Sequence, residues 1–510
     1  MPPGVVLTAV SLAVGWAALA PVRNRLGTVG YHLAALPVGL LGWGIVASVS
    51  MAVESGWGIW WPVALLAWAA TVAVATRWFT REMTADEEAP IPWWSFPVVL
   101  FSLIAFAWAI AYVGITAYSV DGWSQYVPDG LTLHDIGRTS GRFLGHRMIL
   151  LPAVHAAYCA VGGEFPHVIH PVMGLLTAAL VWAGTWWATS GLGKVLRALV
   201  ATSVVLLMTA SAAFLFQALY IHSHMITAMY LLLALLSLGR ATGWTQESPR
   251  TSTRVPTEET GLNPAWLAIA GLATSAITLA RPDGAAYSVI PVAVAAAVML
   301  RQHATVREVD AFFGPSIATT LLVSAGAFVQ AGIWESDKLA GAVFLAFLGA
   351  QAIAWLIMRF LTGNPPTWLT TGTNLLRLVI GIDILALSVI WRRAGEKAVT
   401  AVQNMSTNLL SQGGYRFIWP YAAAVLTLSL ALRPRSTRHP YTGYLLFAIL
   451  QFFAIALAVH SLTHPGRLGW GDSFNRVSFH VLPVVYLYAG MYLGEVLAAL
   501  ERSREDSSAI

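Results

Sequence analysis

Tyr118-Ser119-Val120-Asp121-Gly122-Trp123-Ser124-Gln125-Tyr126 follows a long apolar run and opens a polar segment that ends at Gly145-His146-Arg147. These 30 residues hold three aspartates, two histidines and three arginines, in a chain that carries little charge elsewhere. Asp121 is therefore expected where a membrane helix leaves the bilayer. Charge at that depth is costly and is usually retained for function, so the segment is predicted to line a functional site.

The composition is that of a membrane protein. Only 10% of the 510 residues are charged and 57% are hydrophobic, whereas soluble domains carry about 25% charged residues. The net charge of +5 fits arginines on cytoplasmic loops, and no nucleic-acid partner is expected. The single cysteine, Cys159, excludes an intramolecular disulfide framework and a cysteine-rich metal site.

Apolar segments of about 20 residues, the length that spans a bilayer, recur along the whole chain. The predicted fold class is an all-α polytopic membrane protein with about 13–15 transmembrane helices. The predicted segments are 3–20, 31–53, 58–76, 94–115, 167–187, 195–213, 222–239, 263–280, 284–300, 313–333, 338–361, 372–391, 416–432, 441–459 and 476–497. The first has no basic start and no small-residue cleavage site, so it is expected to be a retained helix.

Four basic clusters predict the orientation, because cytoplasmic loops carry an excess of Lys and Arg. They are Arg23 and Arg25; Arg240, Arg250 and Arg254; Arg301, His303 and Arg307; and Arg433, Arg435, Arg438 and His439. The outer loops are then 116–166, 392–415 and 460–475. The apolar stretch 144–163 in the first outer loop is short and interrupted, which favours an interfacial or re-entrant helix over a span.

Asp121, at the outer end of an apolar helix, has two possible roles. A carboxylate there can remove a proton from a hydroxyl group or hold a divalent cation. It can equally be a helix-terminal residue that meets water and caps the next turn. Asp129 and Asp135, further along the segment, are expected to be turn and cap residues.

The basic residues of this segment share a pattern. If this part of the loop is helical, Arg138, Arg142 and His146 lie on one face, with Arg147 adjacent. Guanidinium groups bind phosphate oxygens in a bidentate way, so the row suits a phosphate or pyrophosphate headgroup. The alternative is attraction to anionic phospholipid, which explains a cytoplasmic cluster better than an outer one.

Two interpretations also remain for polar residues later in the chain. Arg281-Pro282-Asp283-Gly284 is either a polar turn between short helices or a direct ligand, and burial requires its Arg and Asp to satisfy each other. Arg476, at the start of the last span, is either a snorkelling arginine or a second phosphate clamp, with His480 one turn further in. His222 and His224 suit neither one helix face nor a zinc-binding pair, so they are weak metal candidates and no metal site is predicted.

The order of these features resembles the GT-C superfamily of membrane glycosyltransferases that use polyprenyl-phosphate sugars. The matching features are Asp121 in the first outer loop, His146-Arg147 before Leu151-Pro152, the turn Gly162-Gly163-Glu164, Arg281-Pro282-Asp283-Gly284, and Arg476 before Leu482-Pro483. The resemblance covers residues 94–300 and, more loosely, the last helix. It implies interfacial helices in the first large outer loop.

The resemblance implies a role for each matching residue. Asp121 would be the general base. By resemblance, the lipid phosphate would be held by Arg142, His146, Arg147 and Arg476. The residues themselves add Arg138, Arg281 and His480 to the predicted phosphate site. The acceptor or sugar pocket would include Gln125, Tyr126, Tyr220 and His224. Many relatives have an acidic residue near the position of His222 and His224, so no cofactor is assigned and dependence on a divalent cation is left open.

The resemblance also implies a domain organisation and a reaction. Residues 1–93 would be extra N-terminal transmembrane helices, 94–300 the catalytic module, and 301–510 the C-terminal helices. The activity would be inverting transfer of a sugar from a polyprenyl-phosphate donor to a glycan, lipid or protein acceptor. The expected location is a bacterial plasma membrane, with the active site on the outer face and membrane lipids as neighbours. The alternatives are a lipid-linked oligosaccharide polymerase or ligase and a non-enzymatic lipid or solute transporter.

Overall fold

The structure is a computed structural model that describes residues 2–80, 126–138, 148–163, 169–220, 222–243, 261–281, 283–335, 338–362, 365–412, 418–431, 440–462 and 473–508. Within these ranges the regular structure is helical and no strand occurs. Asp121, Gln125, Arg142, His146, Arg147 and the predicted helix 94–115 lie outside the described residues.

Nineteen α-helices are described. In the first half of the chain they are α1 (Pro3–Leu19), α2 (Arg23–Val53), α3 (Trp61–Phe79), α4 (Val127–Ile136), α5 (Leu150–Ala160), α6 (Ile169–Ala188), α7 (Lys194–Thr209), α8 (Ala212–Leu219), α9 (Ser223–Ala241) and α10 (Pro264–Ala280). In the second half they are α11 (Gly284–Tyr287), α12 (Val289–Arg301), α13 (Val306–Glu335), α14 (Lys338–Leu361), α15 (Thr373–Thr407), α16 (Ile418–Ala431), α17 (Pro440–Leu462), α18 (Ser473–Ser478) and α19 (Leu482–Ser508).

The prediction of an all-α polytopic membrane protein is confirmed. Among the described residues, ten helical segments are long and apolar enough to cross a membrane, or eleven if the bent pair Lys194–Thr209 and Ala213–Leu219 is one span. The first of these segments, Pro3–Val53, contains both α1 and α2. Helices dominate because a bilayer offers no partners for backbone N–H and C=O groups, which a helix satisfies internally.

Helices α1 and α2 form a tight antiparallel hairpin. Tyr31 donates its hydroxyl hydrogen to the Trp16 carbonyl at 2.9 Å, and Trp43 Nε1 donates to Ser11 Oγ at 3.0 Å. Gly39 lies where the backbones touch: a Cβ there would stand 1.8 Å from the Ser11 carbonyl oxygen. Small residues at such positions allow close helix approach in membranes.

Replacing Gly39 with alanine is expected to separate α1 from α2. The added methyl group overlaps backbone, which cannot rotate away, so the free energy of unfolding should fall by about 1–3 kcal/mol. Unfolding in detergent, followed by circular dichroism, measures this change. Gly381→Ala on α15 is the matched control because a Cβ there meets nothing within 4 Å. Equal stability of the two variants would contradict this packing.

The helix ends separate into two sets. At one end, the basic end, Asn263 Nδ2 donates to the Arg25 carbonyl at 3.0 Å and Arg307 donates to the Trp78 carbonyl at 2.6 Å. The Arg240 guanidinium lies nearby, 4.8 Å from the centre of the Trp187 ring. Because α9 ends at this end and α10 begins there, Ser223 and Arg281 share the opposite end. The described residues of the four basic clusters, from which the orientation was predicted, therefore lie together at the basic end.

The prediction of an outer loop at 392–415 is wrong for residues 392–412. Helix α15 continues to Thr407, with one non-helical residue at Ala394, and a π-helical turn follows over Asn408–Gln412. Polarity suggested a loop, but the alanine, glutamate and lysine residues after position 393 are strong helix formers. A helix can therefore continue beyond its apolar part as a polar helix, without a break at the bilayer surface.

The prediction of a short helix within 144–163 is confirmed. Helix α5 has 11 residues, too few to span a bilayer, and its residues from Leu150 to Tyr158 are buried. The three N-terminal helices, expected to be an addition, pack into the same bundle: α2 contacts α5, α10 and α13.

Candidate functional site

Three chain segments meet at the end of the bundle opposite the basic end. His222 caps α9 from outside the helix, and its Nδ1 accepts the Ser223 backbone N–H at 2.9 Å. Arg281 follows the last residue of α10 in an extended conformation, with φ −149° and ψ 154°. His480 lies in the single 3₁₀ turn Phe479–Val481 that precedes α19.

These segments form one hydrogen-bonded group, the arginine–histidine cluster, made of Ser223, His224, Arg281, Asp283 and His480. Arg281 Nη1 lies 3.0 and 3.1 Å from the two ring nitrogens of His224 and 3.4 Å from Ser223 Oγ. His224 Nδ1 and His480 Nε2 are 2.8 Å apart. The cluster is buried: His224 is 2% exposed and His480 is not exposed.

Arg281 and Asp283 form a paired charge within the cluster. Arg281 Nε donates to Asp283 Oδ1 at 2.7 Å and Nη2 donates to Oδ2 at 3.3 Å. Burial alone would lower the pKa of Arg281 and raise that of Asp283, but each charge more than offsets this effect on the other. The pKa of Arg281 is raised and that of Asp283 is lowered, so both groups remain ionised near neutral pH.

Two polar atoms of the cluster region lack a partner. His480 Nδ1 and the Tyr287 hydroxyl are buried without a hydrogen bond in the part of the chain that the structure describes. The two rings are neighbours, with centroids 5.6 Å apart. A buried polar group without a partner costs about 1–3 kcal/mol, so the pair suits a site that a polar ligand completes.

Aromatic rings extend the cluster in one stack. Ring centroids are separated by 6.1 Å from Tyr220 to His222, 4.1 Å from His222 to His224, and 5.0 Å from His224 to His480. His222 and His224 do not share a helix face, as their spacing predicted, yet their rings stack on each other. Because His222 precedes the helix as its cap, its ring is free to lie over His224.

Tyr126 connects the cluster to the first polar segment. Its hydroxyl lies 3.4 Å from Ser223 Oγ, and its ring meets the edge of His222 at 5.3 Å. The Tyr126 backbone carbonyl is 3.1 Å from His155 Nδ1. Because a carbonyl only accepts hydrogen bonds, this nitrogen of His155 carries the hydrogen.

The hydrogen bond from His155 to the Tyr126 carbonyl also determines which nitrogens carry hydrogen in a second buried pair, His155 and His170. A neutral His155 ring accepts at Nε2, which faces His170 Nε2 at 3.2 Å. His170 is therefore the donor, and its Nδ1 is a bare, buried acceptor without a partner among the described residues. Sequence reasoning missed both residues, although a histidine in an apolar segment is itself a signal for function.

Replacing His155 or His170 with phenylalanine is expected to lower the free energy of unfolding by about 1–3 kcal/mol, because each change leaves a buried partner unsatisfied. The double variant should lose less than the sum, with a coupling of about 0.5–3 kcal/mol. Chemical unfolding of the four proteins in detergent gives the coupling. His32→Phe is the control, since a phenyl ring can keep the contacts of His32 with Trp16 and Tyr31. Additive losses would contradict a direct bond.

The described site residues divide into two groups. Tyr126, Tyr220, His224, Arg281 and His480 come together, and the charge of Arg476, which is half-buried, acts on His224. Arg138 does not join them. Helix α4 ends at Gly137 with a left-handed φ of 67°, and Arg138 forms an ion pair with Glu54 at an exposed position. Arg138 itself is not helical, and Arg142 and His146, the other members of the predicted row, lie outside the described residues.

Asp129 and Asp135 were expected to be turn and cap residues, but both lie within helix α4, whose caps are Tyr126 and Gly137. Asp129 is in the first turn, where a carboxylate is favoured by the helix dipole. Across the described ranges, no group of three or more His, Cys, Asp or Glu side chains could hold a metal ion.

Fold and site define a polytopic α-helical membrane protein with a buried arginine–histidine cluster at one end of its bundle. The structure is similar to that of the oligosaccharyltransferase of the archaeon Archaeoglobus fulgidus in its apo form, with a TM-score of 0.46 and 15% identity. A second structure of this enzyme (AglB), in complex with an inhibitory peptide and a dolichol-phosphate, has a TM-score of 0.43 and 14% identity.

In both comparisons the similarity covers 82% of this chain and 52% of the other, so the chain spans about half the length of these proteins. No family model and no curated protein matches the sequence. Because the TM-scores are below 0.5, the function proposed for this chain rests on its own residues.

Proposed function

We propose that this protein is an inverting glycosyltransferase that moves a sugar from a polyprenyl-phosphate donor to an acceptor hydroxyl group. The observation that carries the proposal is the arginine–histidine cluster. It places a charged guanidinium, two imidazoles and two unpartnered polar atoms in one buried site at the end of a membrane helix bundle. Buried charge of this kind in a membrane protein is rare and is usually functional.

The chemistry of the cluster suits a phosphate headgroup. Guanidinium nitrogens match phosphate oxygens in a bidentate way. Arg281 is already held by Asp283 through Nε and Nη2, so Nη1 is the nitrogen that faces the histidines and the expected ligand. Arg476 would add a second positive charge. Arg142, His146 and Arg147, outside the described residues, are proposed to complete the phosphate site.

Asp121 is proposed as the catalytic base. It precedes Tyr126 by five residues, and five residues of chain span at most about 18 Å. Since the Tyr126 hydroxyl contacts Ser223 of the cluster, the chain length allows Asp121 to reach a substrate bound there. Gln125 and Tyr220 are proposed to line the acceptor or sugar pocket.

The proposed reaction is a single displacement. The Asp121 carboxylate takes the proton of the acceptor hydroxyl, and the acceptor oxygen attacks the anomeric carbon. The bond from that carbon to the phosphate oxygen breaks, and its electron pair leaves with polyprenyl phosphate. Arg281 and Arg476 stabilise the growing negative charge. Attack from the opposite face inverts the anomeric centre. With the basic end in the cytoplasm, as the positive-inside rule predicts, transfer takes place on the outer face.

The test is an assay of the purified full chain with a panel of radiolabelled polyprenyl-phosphate sugars, with and without a chelator. We expect transfer from at least one donor to an added glycan, lipid or peptide acceptor, with release of polyprenyl phosphate. Inversion is read from the configuration of the product by NMR. Vectorial uptake of the lipid or sugar by proteoliposomes, without a glycoside product, would favour a transporter and overturn the proposal.

A second candidate, a lipid-linked oligosaccharide polymerase or ligase, is favoured by one observation. Arginine and histidine dominate the described site, and the one carboxylate of the cluster, Asp283, is engaged by Arg281. Polymerases and ligases of this kind depend on arginine and histidine rather than on an aspartate. Activity that survives Asp121→Asn but not Arg476→Ala would identify this second class.

A further inference from the structure

A cavity of about 500 Å³ lies at the basic end, between α12, α15 and α17. This cavity, the α12–α15–α17 cavity, is far from the proposed active site because it adjoins the last residue of α12 and the first turns of α15 and α17. Its volume falls within the range of about 300–1,000 Å³ that is usual for ligand sites. Its lining includes Arg301, Arg377, Tyr444, Leu376, Ile380 and Leu450.

The polar part of the lining is cationic. Arg301 and Arg377 both line the cavity, and in the described part of the chain neither forms an ion pair with a carboxylate. Arg377 donates one hydrogen bond, to Asn374 Oδ1 at 3.0 Å. The Tyr444 hydroxyl is buried beside Arg301, whose guanidinium lies close enough to act on it. Two guanidinium groups and a buried tyrosine hydroxyl suit the oxygens of a phosphate group.

Apart from Thr373, the remaining lining is apolar, and it is open to the bilayer. Ile380 is 37% exposed and Leu450 is 53% exposed, so the cavity can be entered from the side. One turn further along, Gln451 Nε2 donates to Asp383 Oδ1 at 3.1 Å, which joins α15 to α17 and limits the depth of the cavity. The charged side chains therefore lie at the rim of the cavity and the apolar side chains lie below them. This arrangement matches the headgroup and acyl chain of an anionic lipid.

We propose that the α12–α15–α17 cavity binds the phosphate headgroup of an anionic membrane lipid, with an acyl chain lying against Ile380 and Leu450. Anionic phospholipids are concentrated in cytoplasmic leaflets, and basic pockets between helices on that side bind them. The positive-inside rule assigns this end to that leaflet. The site is separate from the proposed glycosyl transfer, and its test does not depend on that activity.

The experiment is native mass spectrometry of the full chain, delipidated in detergent and titrated with phosphatidylglycerol, with phosphatidylcholine of the same acyl chains, or with inorganic phosphate. We expect one phosphatidylglycerol to bind about tenfold more tightly than phosphatidylcholine, because charge-assisted hydrogen bonds from the two arginines favour the anionic headgroup. Millimolar inorganic phosphate should not bind stably, because it lacks the acyl chain. Phosphate binding as tight as that of the lipid would overturn a lipid site.

Two variants test the position of the site. Arg301→Gln combined with Arg377→Gln should weaken phosphatidylglycerol binding by about tenfold to a hundredfold. Arg392→Gln combined with Arg393→Gln removes two charges from the same helix, α15, outside the cavity lining, and should leave the tight site intact. Equal loss in the two pairs would mean general attraction to the surface and would overturn the proposal.

Filling the cavity gives a test that keeps every charge. Gly443 lines the cavity, and a Cβ at this position meets nothing within 4 Å, so Gly443→Leu should fold and occupy the space. Phosphatidylglycerol binding is expected to weaken by about tenfold or more. Gly381→Leu on α15 is the matched control, because its Cβ also meets nothing within 4 Å and Gly381 does not line the cavity. Unchanged lipid binding in Gly443→Leu would overturn the proposal.

Discussion

Asp121→Asn is expected to lower the rate of sugar transfer by about 10²–10⁴-fold, the usual contribution of a general base. Asparagine keeps the size and polarity of the side chain but cannot accept the proton of the acceptor hydroxyl. Because the phosphate site is left intact, donor binding should change little. The measurements are the single-turnover rate with saturating donor and, separately, the dissociation constant of the donor.

Asp135→Asn is the matched control for this variant. Asp135 is an exposed carboxylate in the same polar segment, 2.7 Å from His134, and it is not part of the arginine–histidine cluster. It should transfer sugar at the rate of the unchanged protein. A near-normal rate for Asp121→Asn would show that another group, or none, removes the proton. A weaker donor affinity with an unchanged rate would instead assign Asp121 to binding.

Arg281→Gln is expected to lower the transfer rate by about 10²–10³-fold, the loss seen when one preorganised donor to a developing anion is removed. The leaving phosphate gains negative charge during the reaction, so the effect on rate should exceed the effect on donor binding. Comparing kcat with KM separates the two effects. A loss confined to KM would contradict a role for Arg281 in the transition state.

The Arg281 variant also leaves Asp283 buried without its partner, which costs about 3–5 kcal/mol. Arg281→Gln combined with Asp283→Asn removes both charges and should fold better than the single variant while remaining slow. Arg359→Gln is the control for an Arg–Asp pair: Arg359 and Asp310 are 3.5 Å apart at the basic end and are more exposed. An exposed pair contributes about 0–1 kcal/mol, and activity should not change.

The pair also predicts how stability depends on pH. Because Arg281 lowers the pKa of Asp283 in the folded protein, the pair stabilises the fold above the pKa of an unfolded aspartate, about 3.9. That contribution is lost as the pH falls through the lower pKa of the folded state. The acid unfolding curves of the unchanged protein and of the double variant Arg281→Gln/Asp283→Asn, which lacks the Asp283 carboxylate, should differ below the pKa of an unfolded aspartate.

The positions of most described helices could be predicted from the sequence alone. The predicted segments 263–280 and 338–361 correspond to Pro264–Ala280 and Lys338–Leu361. Hydropathy is sufficient here because an apolar stretch in a bilayer has to satisfy its own backbone, which a helix does. The same reasoning fails for 392–412, where helix propensity keeps a more polar stretch of the chain helical.

The site was only partly predictable. Arg281, Arg476 and His480 were identified because charged or polar residues at the ends of membrane helices are costly. Which of these residues contact one another could not be predicted, because His224 lies 57 residues from Arg281 and 256 residues from His480 along the chain. Periodicity and hydropathy report on neighbours within one helix and carry no information about such distant pairs.

The sequence by itself thus determined an all-α membrane protein, with its basic clusters at one end of the bundle and the candidate site residues expected at the other. Only the tertiary structure decided that Arg281 pairs with Asp283 and contacts His224, that His170 donates a hydrogen bond to His155, and that Arg138 pairs with Glu54. The physical reason is that bilayer insertion depends on each segment's own composition. Side-chain pairing instead depends on how separately formed helices pack against one another.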